Sequence, residues 1–121
     1  MGLYLEFVAM QLDLVYVAPG FTESADNLAV KYGDGSGIAA SQAIEMTGFI
    51  DQTANTGTNA LPKIDAIGTK AQRDNLPLVL HNTGDGEFGG GGGSALCVHI
   101  SYRVWHWAMS DDPIIIIIEA R

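Results

Sequence analysis

Apolar and polar positions alternate with a period of two along much of the chain, the pattern of strands that bury one face. In residues 11–17, Leu12, Leu14 and Tyr16 point one way, with Gln11 and Asp13 opposite. In residues 27–32, Leu28, Val30 and Tyr32 alternate with Asn27, Ala29 and Lys31. Leu76, Leu78 and Leu80 do the same around Val79 and His81. The clearest run is 95–107. There Leu96, Val98, Ile100, Tyr102 and Val104 share a face predicted to point inward, and Cys97, His99, Ser101, Arg103, Trp105 and Trp107 share the other. A strand of this length with one apolar face belongs in a sandwich or barrel.

Turn signals separate these runs: Ala18-Pro19-Gly20, Gly33-Asp34-Gly35-Ser36-Gly37, Asn55-Thr56-Gly57 and Asn82-Thr83-Gly84-Asp85-Gly86. Their spacing suits several short antiparallel strands, and 33–37 reads as a hairpin connection. In 38–50, Ile44 and Met46 alternate with Ala43, Glu45 and Thr47, which favours a strand. Residues 63–73 read as a short helix or a turn. The pattern contains no long amphipathic helix, no repeat and no interior linker. The expected fold is all-β, an antiparallel jelly roll or β-sandwich. It is read as a single β domain over 1–121, with 108–121 as a C-terminal interface strand.

That last segment is unusual. Asp111-Asp112-Pro113 precedes five consecutive isoleucines, 114–118. Such a run has high β-propensity and no polar face, so it must be buried on both sides. Left open it is an aggregation hazard, against which the Asp pair and the proline act as gatekeepers.

Composition narrows the partners. The chain has 121 residues, 47% hydrophobic and only 17% charged, which points to surface covered by partners. Its net charge is −8, from 14 acidic and 6 scattered basic residues. Nucleic acid and anionic membranes are therefore disfavoured as ligands. No uncharged apolar stretch is long enough to span a bilayer. The apolar N-terminal stretch lacks a basic n-region and is interrupted by Glu6 and Asp13, so it does not read as a signal peptide. The lone Cys97 allows no intrachain disulfide and fits synthesis in a reducing cytoplasm.

Candidate chemistry is sparse. Residues 84–89 match GxGxxG, but glycines and a strand pattern follow where a dinucleotide motif needs a helix, and Glu87 would repel phosphate. The glycines 89–93 lack the Lys-Ser/Thr ending of a P-loop and read as a mobile tip. Asp34 with Ser36, and Asp85 with Glu87, offer too few oxygens for a calcium loop and read as turn formers. His99 and His106 lie on opposite faces of their strand, and His81 is remote in sequence, so no HxH-type metal site arises. His99 shares a face with Ser101 and Cys97 at a spacing of about 7 Å, too long for a nucleophile–base bond. Glu45, Asp51 and Glu87 receive no roles. The expectation is thus no catalytic, cofactor-binding or metal residue, and no enzyme. Trp105 and Trp107 form either an exposed interface patch or a face covered by a second sheet. With Ile114, Ile116 and Ile118 they are the candidate interface residues.

The segments LAVKYGDGSG (28–37), IEMTGFID (44–51) and LVLHNTGDGEFGGGGGSALCVHISYRV (78–104) resemble small jelly-roll proteins of tailed bacteriophage virions. The likeness spans roughly 11–104. Its most specific part is a strand, an Asn/Gly/Asp-rich loop, and a long strand ending Tyr-Arg-Val. The resemblance implies a capsid decoration or cement protein on the virion surface. Such a protein is commonly a homotrimer, bound to the major capsid protein, without catalytic residues. The tail after Val104 has no counterpart in that pattern. Alternatives are another phage structural jelly roll (tail, fibre or baseplate) or a carbohydrate-binding jelly-roll module.

Overall fold

The computed structural model describes residues 2–22, 27–65, 67–84, 88–90 and 92–107. Ile114, Ile116 and Ile118, like Asp85 and Glu87, lie outside the described residues. The described elements are strands β1 (Leu3–Val15), β2 (Phe21–Thr22), β3 (Leu28–Tyr32), β4 (Thr56–Ala60), β5 (Leu78–Asn82), β6 (Gly89–Gly90) and β7 (Ala95–His106). No helix occurs among the described residues. Every strand pair is antiparallel, in sheets of order β4-β1-β7, β2-β6 and β3-β5. The chain is all-β, as its alternation requires.

β1 organises the molecule. It pairs with β7 from Leu3↔His106 to Val15↔Ala95, and over Met10–Leu14 it pairs with β4 as well. The register with β7 shifts between Phe7 and Ala9, leaving Val8 as an extra residue. This bulge reverses the parity of the strand. Phe7 can therefore face the core together with Met10, Leu12 and Leu14, although seven and ten differ by an odd step. The opposing layer supplies Leu28, Val30 and Tyr32 from β3, with Leu78 and Leu80 of β5 packed alongside. Both sheets thus close on one apolar core. Each fully buried aliphatic side chain there contributes roughly 1.5–3 kcal/mol.

Polar groups tie the layers together. The buried Tyr32 phenol donates to the Leu5 carbonyl of β1 at 2.6 Å. Lys31 Nζ donates to the carbonyls of Gly35, at 2.8 Å, and Asn82, at 3.0 Å, pinning the loop after β3. In that loop Gly33 adopts φ 89°, a conformation costly for any residue with a Cβ. Asp34 Oδ1 accepts the Ser36 N–H at 2.8 Å, so this Asp/Ser pair forms a turn. The chain then folds back through Tyr32 N–H to Ile38 carbonyl, 2.9 Å, as the hairpin reading of 33–37 requires.

Several expectations need correction. Residues 38–50 do not form a strand. They make isolated bridges, Leu28↔Ile44, Lys31↔Ala39 and Ser41↔Pro62, and then a turn. Ile44 and Met46 are nonetheless buried, so their alternation reports burial without a continuous partner. This segment bonds to β3 on one side (Ala40 N to Val30 O, 2.7 Å). On the other it meets the chain just beyond β4 (Gln42 N to Leu61 O, 3.0 Å). Thr56 and Gly57, read as a turn, open strand β4 instead. Residues 71–75 resolve the helix-or-turn reading as a turn. Gly89 and Gly90 are not a free tip: they pair with Thr22 and Phe21, and a Cβ on Gly90 would crowd the Gly20 carbonyl at 3.0 Å.

The largest correction concerns β7. Leu96 and Ile100 pack against the core, but Val98, Tyr102 and Val104 are 42%, 56% and 51% exposed. The five residues share a face, as the alternation requires. β7 is the edge of its sheet among the described residues, and the core positions beside Val98 and Tyr102 are taken by their β1 partners Leu12 and Phe7, which are buried.

Candidate functional site

The outward face of the β4-β1-β7 sheet gathers most of the chemically versatile side chains. Cross-strand register sets them in rows. Gly57, Asp13 and Cys97 form one row, and Asn59, Gln11 and His99 the next. Ala9↔Ser101, Glu6↔Arg103 and Tyr4↔Trp105 follow along β1 and β7. Directly opposed residues lie close enough for their side chains to interact.

At one end Asp13 takes two contacts from the Gln11 amide, at 3.2 and 3.0 Å. His99 Nε2 lies 3.7 Å from Asp13 Oδ2. Gly57 belongs in this row because a Cβ there would meet Asp13 Oδ1 at 2.7 Å. A recess of about 310 Å³ opens beside the row, lined by Ala9, Met10, Gln11, Asn59, Ala60, Leu61, His99 and Ser101. Its floor is low because Ala9 and Ser101 are small.

In the middle, Glu6 accepts the Trp105 indole N–H at 2.7 Å and faces Arg103 at 3.4 Å. That bond fixes the tilt of an indole that is 45% exposed. At the far end Tyr4 and Trp107 stack at 4.7 Å between centroids. The Arg73 guanidinium lies 4.7 Å from the Tyr4 ring and 5.2 Å from Trp107, and Lys70 Nζ lies 5.0 Å from Trp107. Such cation–ring contacts contribute about 0.5–1 kcal/mol each where exposed.

The two tryptophans therefore differ. Trp107 is half-buried in a stack, whereas Trp105 stands open to solvent. Both lie on the outward face, and no second sheet covers them among the described residues. The large apolar residues exposed on β7, apart from Trp105, lie on the opposite face. His99 approaches Asp13, and Cys97 is exposed. Among the described residues, no group of three His, Cys, Asp or Glu side chains could hold a metal ion.

Sequence reasoning singled out Trp105 but missed Asn59, Gln11, Asp13 and the Glu6–Arg103 pair. Only the register across β4, β1 and β7 brings these together, and single-strand periodicity does not encode register. No family model, curated protein or solved structure matches the chain.

Proposed function

We propose that this chain is a structural virion protein, a jelly-roll capsid decoration protein that binds a phage head and stabilises it as a homotrimer. The assignment to a virion rests on the resemblance of residues 28–37, 44–51 and 78–104. The observation that carries the reading is β7. Its outer edge has no partner strand among the described residues, and Val98, Tyr102 and Val104 are exposed beside it. A strand of 12 residues with one free edge is a template for association, and an exposed apolar surface beside it marks an interface.

In this mechanism the inward face and free edge of β7 seat against a neighbouring subunit or the major capsid protein. Each subunit buries modest area on the shell. Linkage of three subunits raises the effective concentration of the second and third contacts, so the assembly holds far more tightly than one copy. The net charge of −8 fits the outside of the shell, away from packaged DNA. Particles stripped of the protein are expected to lose integrity at lower temperature or in low salt, and re-addition to restore it. Unchanged particle stability, or localisation to the tail, would refute the cement role and leave a fibre or baseplate component. Val104→Asp is expected to shift the protein from trimer to monomer in sedimentation analysis. A trimer that survives the substitution places its interface elsewhere.

A further inference from the structure

We propose that the outward face of the β4-β1-β7 sheet binds a neutral oligosaccharide, stacked on the Trp105 ring and hydrogen-bonded by the Asn59–Gln11–His99 row. The observations are geometric. The indole N–H is already committed to Glu6 at 2.7 Å, so what Trp105 offers outward is a fixed, half-exposed aromatic surface. A pyranose presents a patch of C–H groups that packs on such a ring. Its rim carries hydroxyls, each both donor and acceptor. Side-chain amides offer the same duality, and Gln11 and Asn59 lie side by side in the recess of about 310 Å³ with His99.

The spacing favours several sugar units over one. Trp105 and His99 are six residues apart on β7, about 20 Å at strand rise. Between them lie the small Ala9–Ser101 row and the Glu6–Arg103 pair, whose polar groups face the same side.

Charge balance selects a neutral ligand. Glu6 is paired with Arg103, and Asp13 accepts two contacts from the Gln11 amide with His99 Nε2 3.7 Å away. The two carboxylates disfavour a sulfated, sialylated or phosphorylated ligand along the row, and the cations Arg73 and Lys70 are held at the far end against the Tyr4 and Trp107 rings. A protein partner is disfavoured on the same ground. Interface cores are depleted in charge and rich in apolar contact, and the apolar residues of β7 lie on its other face. The sheet is thus chemically sorted, with apolar association on the inner side and polar recognition on the outer. The inference does not depend on the virion reading.

The test uses the purified full chain, labelled with ¹⁵N and titrated with cello-, xylo-, manno-, malto- and chito-oligosaccharides. At least one is expected to shift the Trp105 indole signal and the Gln11 and Asn59 amide signals saturably, while the stacked Trp107 indole stays in place. Trp105→Ala should weaken binding about tenfold, and Gln11→Ala should weaken it too. Both positions lie on the exposed face, so a retained β-sheet circular dichroism spectrum verifies folding. Absence of shifts with all five sugars would overturn the proposal. So would binding that survives Trp105→Ala, or tighter binding of a sulfated or sialylated glycan.

Discussion

Leu12 and Val98 lie directly opposite each other on β1 and β7, on the same face of one sheet. Leu12 is 0% exposed and Val98 is 42% exposed. Truncating each to alanine therefore measures whether anything covers the inner face of β7. Leu12→Ala empties a site enclosed by both layers, and such cavities cost about 2–5 kcal/mol. Val98→Ala removes methyl groups already in partial contact with water. At about 0.8 kcal/mol per buried carbon, discounted for exposure and without a sealed cavity, the cost stays below about 1 kcal/mol. Urea unfolding followed by tryptophan fluorescence separates these values. With slopes of about 1–3 kcal/mol per molar urea, the Leu12 variant should lose at least about 0.7 M in midpoint and the Val98 variant less than half of what the Leu12 variant loses. The comparison belongs at dilute protein, where the single chain is measured. At high concentration the Val98 penalty should grow, because association stabilises the folded state by mass action. Equal penalties at dilute protein would mean that the inner face of β7 is sealed within one chain, and the argument for association through it would fail.

Three further outcomes follow from the core. Burial pushes the Tyr32 phenol above its ordinary value of 10.0, an effect partly offset by Arg73. The fold therefore favours the neutral phenol. This contribution is complete below about pH 10, where the unfolded chain begins to ionise, and is lost as pH rises through the raised folded value. Tyr32→Phe should cost about 1 kcal/mol near neutrality, from the lost bond to Leu5, and flatten the alkaline decline seen in urea midpoints measured across pH. Ser41 is buried; its hydroxyl accepts the Val30 N–H at 2.9 Å and donates to the Gln42 carbonyl at 2.9 Å. Ser41→Ala should cost about 1–3 kcal/mol in the same assay, and Ser41→Thr less if the hydroxyl keeps its place. Gly37→Ala would drive a Cβ into the Tyr32 carbonyl oxygen, so a loss of about 1–3 kcal/mol or more is expected in thermal melts.

How far the fold can be read from the sequence depends on how local each cause is. β3 and β7 are legible because their alternation is unbroken over the whole strand. The first half of β1 is not, because the bulge at Val8 puts Phe7 and Met10 on one side and mixes the parities. β4, with sequence TGTNA, has almost no apolar signal and pairs through its backbone. Residues 38–50 mislead in the other direction: the burial of Ile44 and Met46 is real, but the backbone there is shared among bridges. For β7 the alternation identifies which residues share a face. Whether Val98, Tyr102 and Val104 are covered depends on what packs beyond the β7 edge, since Leu12 and Phe7 beside Val98 and Tyr102 on β1 are already buried. The candidate site has the same asymmetry. Trp105 stands out alone, whereas the row of Asn59, Gln11 and His99 is assembled by strands far apart in sequence.

The segment that bonds to β3 through Ala40 and Ile44, and to the stretch after β4 through Gln42, has a consequence for how the molecule opens. It sews the two sheets along one side, while β7 borders the other with its edge unpaired among the described residues. Opening fluctuations should start at β7 and die out at the seam. Amide hydrogens of Leu28, Ala40 and Ile44 should exchange with deuterated solvent only through global unfolding, and the outward-pointing amides of β7 through small local excursions. A subunit or shell that captures the free edge would slow exchange in β7 and leave the seam unchanged, so one protection map locates the captured strand without a structure of the assembly.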